Sequence, residues 1–236
     1  MQNFKDFLSK AADDFGIKLK DCEIEKFNKY KDFLLEYNKK VNLTAITDPE
    51  QIAIKHFIDS LSVLKYCDVK SNVKIIDVGT GAGFPGVPIK IVREDLNLTL
   101  LDSLNKRICF LDELLNILNL QAELIHGRAE DEARNELRES FDLAISRAVA
   151  PLNVLSEYCL PMVKVGGLFI SMKGLDVEEE IKQSGNAVST LGGEIVEKIN
   201  FKLPDNSVRN IVVIKKNKNT PLKYPRKQSQ IKRKIL

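Results

Sequence analysis

The sequence has no tryptophan, two histidines and four cysteines in 236 residues, so residues typical of metal and redox sites are scarce. Cys22, Cys67, Cys109 and Cys159 lie far apart, without a CxxC pair or a partnering histidine. This spacing fits neither a zinc site nor a disulfide framework. We therefore expect no metal site, and we expect the thiols to be buried in a protein from a reducing compartment.

Long apolar runs are also missing. No stretch approaches the roughly 20 apolar residues that cross a bilayer, and the start, MQNFKDFLSKAADDF, lacks the apolar core of a signal peptide. Its apolar residues instead recur on one helical face, at Phe4, Phe7, Leu8, Ala11 and Phe15. We expect a cytoplasmic protein that does not associate with membranes.

The positive charge is confined to one end of the chain. The net charge is +3, yet residues 215–236 hold nine Lys or Arg and no acid, which leaves 27 basic and 33 acidic residues elsewhere. A basic tail of this kind often contacts nucleic acid through phosphates. A solvated, disordered terminus is the alternative.

The pattern divides the chain into three parts. Residues 1–70 are predicted to be helical and to pack on the core as an N-terminal extension, with an N-cap and first turn at Asp48-Pro49-Glu50. Residues 71–216 form the main domain, and residues 217–236 form the basic tail. Nothing in the sequence demands more than a monomer.

The main domain alternates short β-rich runs with amphipathic segments, which indicates an α/β fold with a mostly parallel sheet. The last two of its seven strands are joined by Pro204-Asp205-Asn206-Ser207, so they should form an antiparallel hairpin. Such a hairpin suits a Rossmann-like class I methyltransferase better than a dehydrogenase. The predicted strands are Val73–Val78, Leu98–Asp102, Ala122–His126, Phe141–Ser146, Gly167–Met172, Glu194–Leu203 and Val208–Lys215.

The first strand leads into IIDVGTGAGFPGVP, where Gly79, Gly81 and Gly83 allow a sharp turn and a close ligand. The GxGxxG match within it also nominates NAD. Asp77 favours S-adenosylmethionine, because a carboxylate suits a cationic sulfonium and ammonium better than a pyrophosphate. In the alternative interpretation, Asp77 merely caps the loop amides.

Three further candidates follow the next strands. Asp102 ends the second strand, 19 residues after Gly83, where an acid can bind ribose hydroxyls, although it could be a surface residue that starts a helix. Backbone groups near Ala129-Glu130 could recognise adenine. Arg147, after the fourth strand, could hold a phosphate or the cofactor carboxylate, or form a surface salt bridge.

From about Asp32 to Lys227 the sequence resembles the ribosomal RNA small subunit methyltransferase G family, also called glucose-inhibited division protein B. In order, the motifs that carry the resemblance are YNKKVNLTAI (37–46), KHFIDSL (55–61), IIDVGTGAGFPGVP (75–88), HGRAED (126–131), ISRAVAPL (145–152), GGLFISMKG (166–174) and YPRK (224–227).

The resemblance implies a bacterial enzyme that methylates N7 of guanine 527 in 16S ribosomal RNA. It also implies contacts with S-adenosylmethionine at Gly79, Phe84, Ala129, Glu130 and Arg147. The sequence departs from the family in two places: family members often have Trp where Tyr37 stands, and the tail reads QSQIKRKIL rather than continuing with Gly and Pro.

Guanine N7 carries a lone pair and no proton, so its methylation needs no general base, and we assign no catalytic residue. SRAVAP after the fourth strand replaces the Asn/Asp-Pro-Pro-aromatic motif of amine methyltransferases. The proposed partner is 16S ribosomal RNA or the small ribosomal subunit. Its predicted contacts are His56, Arg147, Lys173, Arg226 and Lys227.

Other activities stay open from the residues alone. GAGFPG and Asp102 also fit a nicotinamide-dependent oxidoreductase, which Asp77 and the terminal hairpin disfavour. A methyltransferase acting on a small molecule or a protein, and an RNA-binding protein with an inactive cofactor fold, are further alternatives. The basic tail and the helical extension favour RNA.

Overall fold

The computed structural model describes residues 3–147 and 149–236, apart from the side chain of residue 232. A twisted sheet has helices on both faces. The α-helices are α1 (Phe4–Asp14), α2 (Asp21–Asn38), α3 (Pro49–Ile52), α4 (Asp59–Tyr66), α5 (Gly86–Val92), α6 (Asn105–Leu118), α7 (Ala129–Glu132), α8 (Leu152–Cys159), α9 (Glu178–Thr190) and α10 (Gln228–Arg233).

The sheet has seven strands in the order β3-β2-β1-β4-β5-β7-β6. All neighbours pair in parallel except β7, which is antiparallel to both β5 and β6. This confirms the predicted α/β architecture with a terminal hairpin. The strands are β1 (Lys74–Val78), β2 (Asn97–Asp102), β3 (Glu123–His126), β4 (Phe141–Arg147), β5 (Val163–Lys173), β6 (Gly193–Lys202) and β7 (Val208–Lys216).

Two apolar layers cover the sheet. Successive strand residues point to opposite faces, so Ile75 joins the layer that contains Phe57 and Phe110, whereas Ile76 joins the layer that contains Leu152. The first layer also takes in the N-terminal helices, so the extension is packed on the sheet. Because β1 and β4 are buried on both faces, the loops that follow them are held on a rigid support.

The helix that begins at Pro49 contains a feature that apolar spacing did not predict. Asp48 caps it, since the Asp48 carboxylate accepts a hydrogen bond from the Gln51 N–H at 2.9 Å. Between α3 and α4, however, residues Ala53–Ile58 form a π-helix. Such segments are frequent at functional sites, and this one carries His56.

The basic tail packs against the protein. Tyr224 and Ile231 are buried, and the Arg134 guanidinium donates to the Pro225 carbonyl at 2.7 Å. Arg226 forms an ion pair with Glu157, whose side chain is 1% exposed. The solvated alternative therefore does not describe residues 217–236, although Lys227 itself is exposed.

The four cysteines are free, and the expectation that all of them are buried was wrong. Cys159 is buried, Cys67 is half-buried, and Cys22 and Cys109 are exposed. The exposed thiol of Cys22 lies on α2 and that of Cys109 lies on α6, each on a face of the helix that is open to solvent. Over the described ranges, we find no helix with the length and apolar character needed to span a membrane.

Candidate active site

The loop after β1 is held in a conformation that favours glycine. Gly79 has φ +73° and Gly83 has φ +94°. A Cβ on Gly79 would lie 2.6 Å from Cγ2 of Val149, and a Cβ on Gly83 would lie 2.7 Å from Oη of Tyr30. The Tyr30 hydroxyl donates to the Ala82 carbonyl. Helix α2 therefore supports the loop from behind.

Asp77 fastens the two ends of this loop. It is fully buried, and its Oδ2 accepts from the Thr80 hydroxyl at 2.7 Å and from the Gly86 N–H at 2.9 Å. Burial raises the pKa of Asp77 from 3.8 to about 6, against the lowering effect of those two hydrogen bonds. The carboxylate thus has the loop-capping contacts of the alternative interpretation. A cofactor contact stays a prediction.

Asp102 is buried at the carboxyl end of β2, not a surface residue. Its Oδ2 accepts from the Gly81 N–H at 2.9 Å and from Nη1 of Arg107 at 3.0 Å, and its Oδ1 accepts from the Leu104 N–H at 2.9 Å. These contacts place the carboxylate between the glycine loop and the start of α6.

Two cavities meet at Asp102. The larger, here the glycine-loop cavity, has a volume of about 420 Å³, and the smaller, the strand-end cavity, about 130 Å³. They share Gly79, Asp102, Ser103 and Val149. Of the predicted cofactor residues, the glycine-loop cavity also has Gly81, Phe84 and Arg147, and the strand-end cavity has Ala129 and Glu130. Asp77 and Gly83, the other two predicted cofactor residues, do not line either cavity.

Arg147 is held in place by the N-terminal extension. Its Nη1 donates to Oδ2 of Asp59 at 2.9 Å and to the Lys55 carbonyl at 3.0 Å, and its Nη2 lies 3.3 Å from Nδ1 of His56. The Arg147 and Asp59 side chains are 13% and 6% exposed. This is a largely buried ion pair inside the site, unlike the surface salt bridge that the sequence left open.

Aromatic rings form the floor beside Arg147. The rings of His56 and Phe84 stack at 4.4 Å, and those of Phe84 and Tyr30 stack at 5.3 Å. The Arg147 guanidinium lies 5.1 Å from the centre of the Phe84 ring. Burial, with a further contribution from the Arg147 charge, lowers the pKa of His56 to about 3. The imidazole is therefore neutral at physiological pH.

A third cavity of about 730 Å³, here the basic cavity, adjoins the glycine-loop cavity and shares His56, Arg147 and Val149 with it. Lys173 also lines it, and its Nζ donates to the Ala150 carbonyl at 2.8 Å and pairs with Glu180 at 2.6 Å. The structure thus brings together three of the five predicted RNA contacts.

The other two predicted RNA contacts lie elsewhere. Arg226 and Lys227 are on the tail next to Gln228, which lines the strand-end cavity. The guanidinium of Arg226 is engaged by Glu157, with Nη2 to Oε2 at 2.6 Å and Nε to Oε1 at 2.9 Å. Its contacts in this structure are therefore anchoring contacts, and contact with RNA stays a prediction.

Sequence reasoning missed several residues of the site, four of which bear on the function. Thr44 lines the glycine-loop cavity, and Lys55, Asp59 and Arg209 line the basic cavity. Three of them belong to motifs that carried the family resemblance, and this was the available signal. Arg209 is in the terminal hairpin, where nothing in the local pattern pointed to a site.

The glycine-loop and strand-end cavities suit an adenosine-bearing cofactor. A buried carboxylate, that of Asp102, lies where they meet, and Glu130 lines the strand-end cavity with a buried Oε1 that has no hydrogen bond among the described residues and lies 3.9 Å from Nη1 of Arg128. A Cβ on Gly79 would fill the junction. The glycine-loop cavity alone falls within the roughly 300–1,000 Å³ of small-molecule sites.

Together, the sheet order and this crevice define the class of protein: a Rossmann-like methyltransferase that uses S-adenosylmethionine. Structural comparison agrees on the fold. A SAM-dependent methyltransferase from Aquifex aeolicus is 19% identical, with a TM-score of 0.53 over 76% of this chain and 97% of that chain. TYW2 from M. jannaschii, in complex with AdoMet, is 15% identical, with a TM-score of 0.53 over 67% and 74%.

The chain belongs to the ribosomal RNA small subunit methyltransferase G family, whose model matches residues 23–211. A member from Thermoanaerobacter sp. is 53% identical over 97% of this chain and 96% of its own length. A member from Clostridium botulinum is 52% identical over 98% of both. The comparisons confirm the predicted family, enzyme class and cofactor, and they do not favour the oxidoreductase alternative.

Proposed function

We propose that this protein methylates N7 of a guanine in 16S ribosomal RNA, guanine 527 in the standard rRNA numbering. The base and the atom come from the family resemblance. The observation that supports methyl transfer to a base is the wall that the glycine-loop cavity and the basic cavity share. Because Arg147 and His56 line both the glycine-loop cavity and the basic cavity, a base in the second would lie beside a cofactor in the first.

In this proposal the cofactor occupies both the glycine-loop cavity and the strand-end cavity, which meet at Asp102. Adenine lies in the strand-end cavity at Ala129 and Glu130, and the ribose hydroxyls meet Asp102. The methionine part lies in the glycine-loop cavity, against Gly79, Gly81, Phe84 and Arg147. Asp77 and Gly83 shape the loop, and their own contacts with the cofactor stay a prediction.

When bound, S-adenosylmethionine supplies a methyl group activated by its sulfonium charge. The protein's part is to orient guanine N7 in line with that methyl group, and orientation can account for roughly 7–11 kcal/mol of a barrier. Proton abstraction is not needed. His56 agrees with this role, since it is neutral and both of its ring nitrogens are already engaged, by Arg147 and Thr44.

Several cations could meet the RNA backbone around the basic cavity. We assign phosphate contacts to Lys55, whose side chain is 35% exposed, and to Arg209, 23% exposed, beside the predicted Arg147 and Lys173. The predicted contact of His56 with RNA would be that of a neutral ring. Lys227, exposed on the docked tail, would extend this surface. We further propose that the protein acts as a monomer in the cytoplasm, where ribosomal subunits are assembled.

The test is transfer of radiolabelled methyl groups to small subunits from cells that lack this modification. Subunits that already carry the modification are the matched control, and naked 16S RNA is a third acceptor. We expect label on unmodified subunits or on naked RNA, and none on modified subunits. Equal labelling of modified and unmodified subunits would contradict the proposal.

A pair of variants tests the placement of the RNA. Lys55→Gln and Lys164→Gln remove the same charge from opposite ends of the sheet, and each lysine is part-exposed and near one acid. We expect Lys55→Gln to weaken RNA binding and to reduce its dependence on salt. Lys164→Gln should change neither, and equal effects would overturn the placement.

A further inference from the structure

Thr44, His56 and Arg147 form a chain of hydrogen bonds beside the glycine-loop cavity. Nη2 of Arg147 lies 3.3 Å from Nδ1 of His56, and Nε2 of His56 lies 2.8 Å from Oγ1 of Thr44. Thr44 Oγ1 is also 3.0 Å from the Ile46 N–H. All three side chains line the cavity.

The guanidinium fixes the direction of every bond in this chain. Arginine has donors and no acceptor, so we assign Nδ1 of His56 as the acceptor of the Arg147 contact at 3.3 Å, and the Lys55 carbonyl beside the ring receives Nη1 of Arg147 at 3.0 Å. A neutral imidazole carries its proton on one nitrogen only, and burial, together with the Arg147 charge, lowers the pKa of His56 so that it stays neutral. The proton is therefore on Nε2, which donates to Thr44 Oγ1.

The hydroxyl proton of Thr44 has no hydrogen-bond acceptor among the described residues. A hydroxyl oxygen has two lone pairs and one proton. The lone pairs receive the Nε2–H of His56 and the N–H of Ile46. Among the residues described, no acceptor takes the Thr44 proton. Thr44 is thus a committed donor at the wall of the cavity.

We infer that the Thr44 hydroxyl donates to the carboxylate of the cofactor's methionine part. This rests on the cofactor placement proposed above. The sulfonium and ammonium groups are not acceptors, and the ribose lies at Asp102. Arg107 and Arg147 line the same cavity, and each guanidinium has further N–H donors besides the one that pairs with Asp102 or Asp59. Thr44, from the N-terminal extension, and Arg147, from β4, would then both donate hydrogen bonds to the carboxylate.

Two ligands and two variants test the inference by calorimetry. Decarboxylated S-adenosylmethionine keeps the sulfonium, the amine and the adenosine and lacks only the carboxylate. Thr44→Val keeps the shape of the side chain and removes the hydroxyl. We expect it to weaken S-adenosylmethionine binding by about 10–100-fold, as for a hydrogen bond to a charged group. Binding of the decarboxylated ligand should change less than about threefold.

Thr44→Ser is the matched control, because it keeps the donor and should bind both ligands like the parent protein. Equal weakening of both ligands by Thr44→Val, or no weakening of either, overturns the inference. A second control separates it from the proposed placement. If Gly79→Val still binds S-adenosylmethionine, the placement itself fails. If Gly79→Val abolishes binding while Thr44→Val is silent, only the role of Thr44 fails.

Discussion

The carboxylate of Asp59 holds the guanidinium of Arg147 at 2.9 Å, and the two residues come from separate parts of the fold. Asp59 is the first residue of α4 in the N-terminal extension, and Arg147 is the last residue of β4. The ion pair therefore fixes the extension to the sheet at the point where the glycine-loop and basic cavities meet.

Breaking this pair should damage both stability and catalysis. Asp59→Asn leaves a largely buried guanidinium without its counter-charge, and loss of one partner of a buried pair typically costs about 3–5 kcal/mol. We expect a lower free energy of unfolding in denaturant and at least a tenfold slower single-turnover methylation. The control is Asp142→Asn, which breaks the exposed pair with Lys164 and should cost at most about 1 kcal/mol. Similar costs for the two variants would contradict a special role for Asp59.

Gly79 is expected to be essential for cofactor binding as well as for the fold. Gly79→Ala places a Cβ 2.6 Å from Val149 at a positive φ, so the backbone strain of about 1–3 kcal/mol is joined by a clash in the cavity. Gly166→Ala is the matched control, since it also has a positive φ, of +90°, but meets nothing within 4 Å. Both variants should lose stability, and only Gly79→Ala should lose affinity for S-adenosylmethionine in calorimetry. Normal affinity in Gly79→Ala would count against the placement.

The raised pKa of Asp77 predicts a specific pH dependence of the free energy of unfolding. Its folded pKa of about 6 lies above the ordinary value of 3.8, so the folded state binds more protons than the unfolded state between those values. Stability should therefore fall as pH rises from about 4 to 6, by an amount on the order of 3 kcal/mol, and then level off. Asp77→Asn should remove this component in denaturant unfolding measured between pH 4 and pH 8.

Asp95→Asn supplies the opposite control. The Arg93 side-chain hydrogen bonds lower the pKa of Asp95, so the stability it contributes is present above its ordinary pKa and is lost as pH falls. Between pH 5 and pH 8 this variant should follow the slope of the parent protein. An unchanged slope in Asp77→Asn would show that burial does not raise the Asp77 pKa as described.

Arg226 separates an anchoring role from an RNA contact. Arg226→Ala leaves the carboxylate of Glu157 buried and unpaired, so we expect a loss of about 3 kcal/mol and faster proteolysis of the tail. Lys227→Ala removes a neighbouring exposed charge and should leave stability unchanged while weakening RNA binding. If Arg226→Ala reduces RNA binding without loss of stability, the anchoring interpretation is wrong.

The fold was predictable because its strongest signals are local. The runs that became β1 to β7 are short, β-rich and separated by amphipathic helices, and the turn at Pro204 marked the antiparallel hairpin. The π-helix at Ala53–Ile58 was not predictable in this way, because the spacing of apolar residues from Ile52 to Leu64 fits an ordinary α-helix equally well.

The position of a candidate residue was predictable where it lies at a strand end or directly after one, as for Asp102 and Gly79. The hydrogen-bonded series of side chains Thr44, His56, Arg147 and Asp59 could not be predicted. Its residues come from three distant segments that meet only after the extension packs on the sheet. Docking of the tail also escaped prediction. Charge alone described residues 217–236 as basic, whereas their burial depends on Arg134, Arg138 and Glu157 elsewhere in the chain.

The most direct test of the central claim is to map the methylated atom. Small subunits that lack the modification are methylated with the purified protein, and their 16S RNA is cleaved chemically at 7-methylguanine. We expect a single new cleavage at guanine 527, lost with Gly79→Ala. A methyl group that does not lead to this cleavage, or that lies on another base, would contradict N7 methylation at this position.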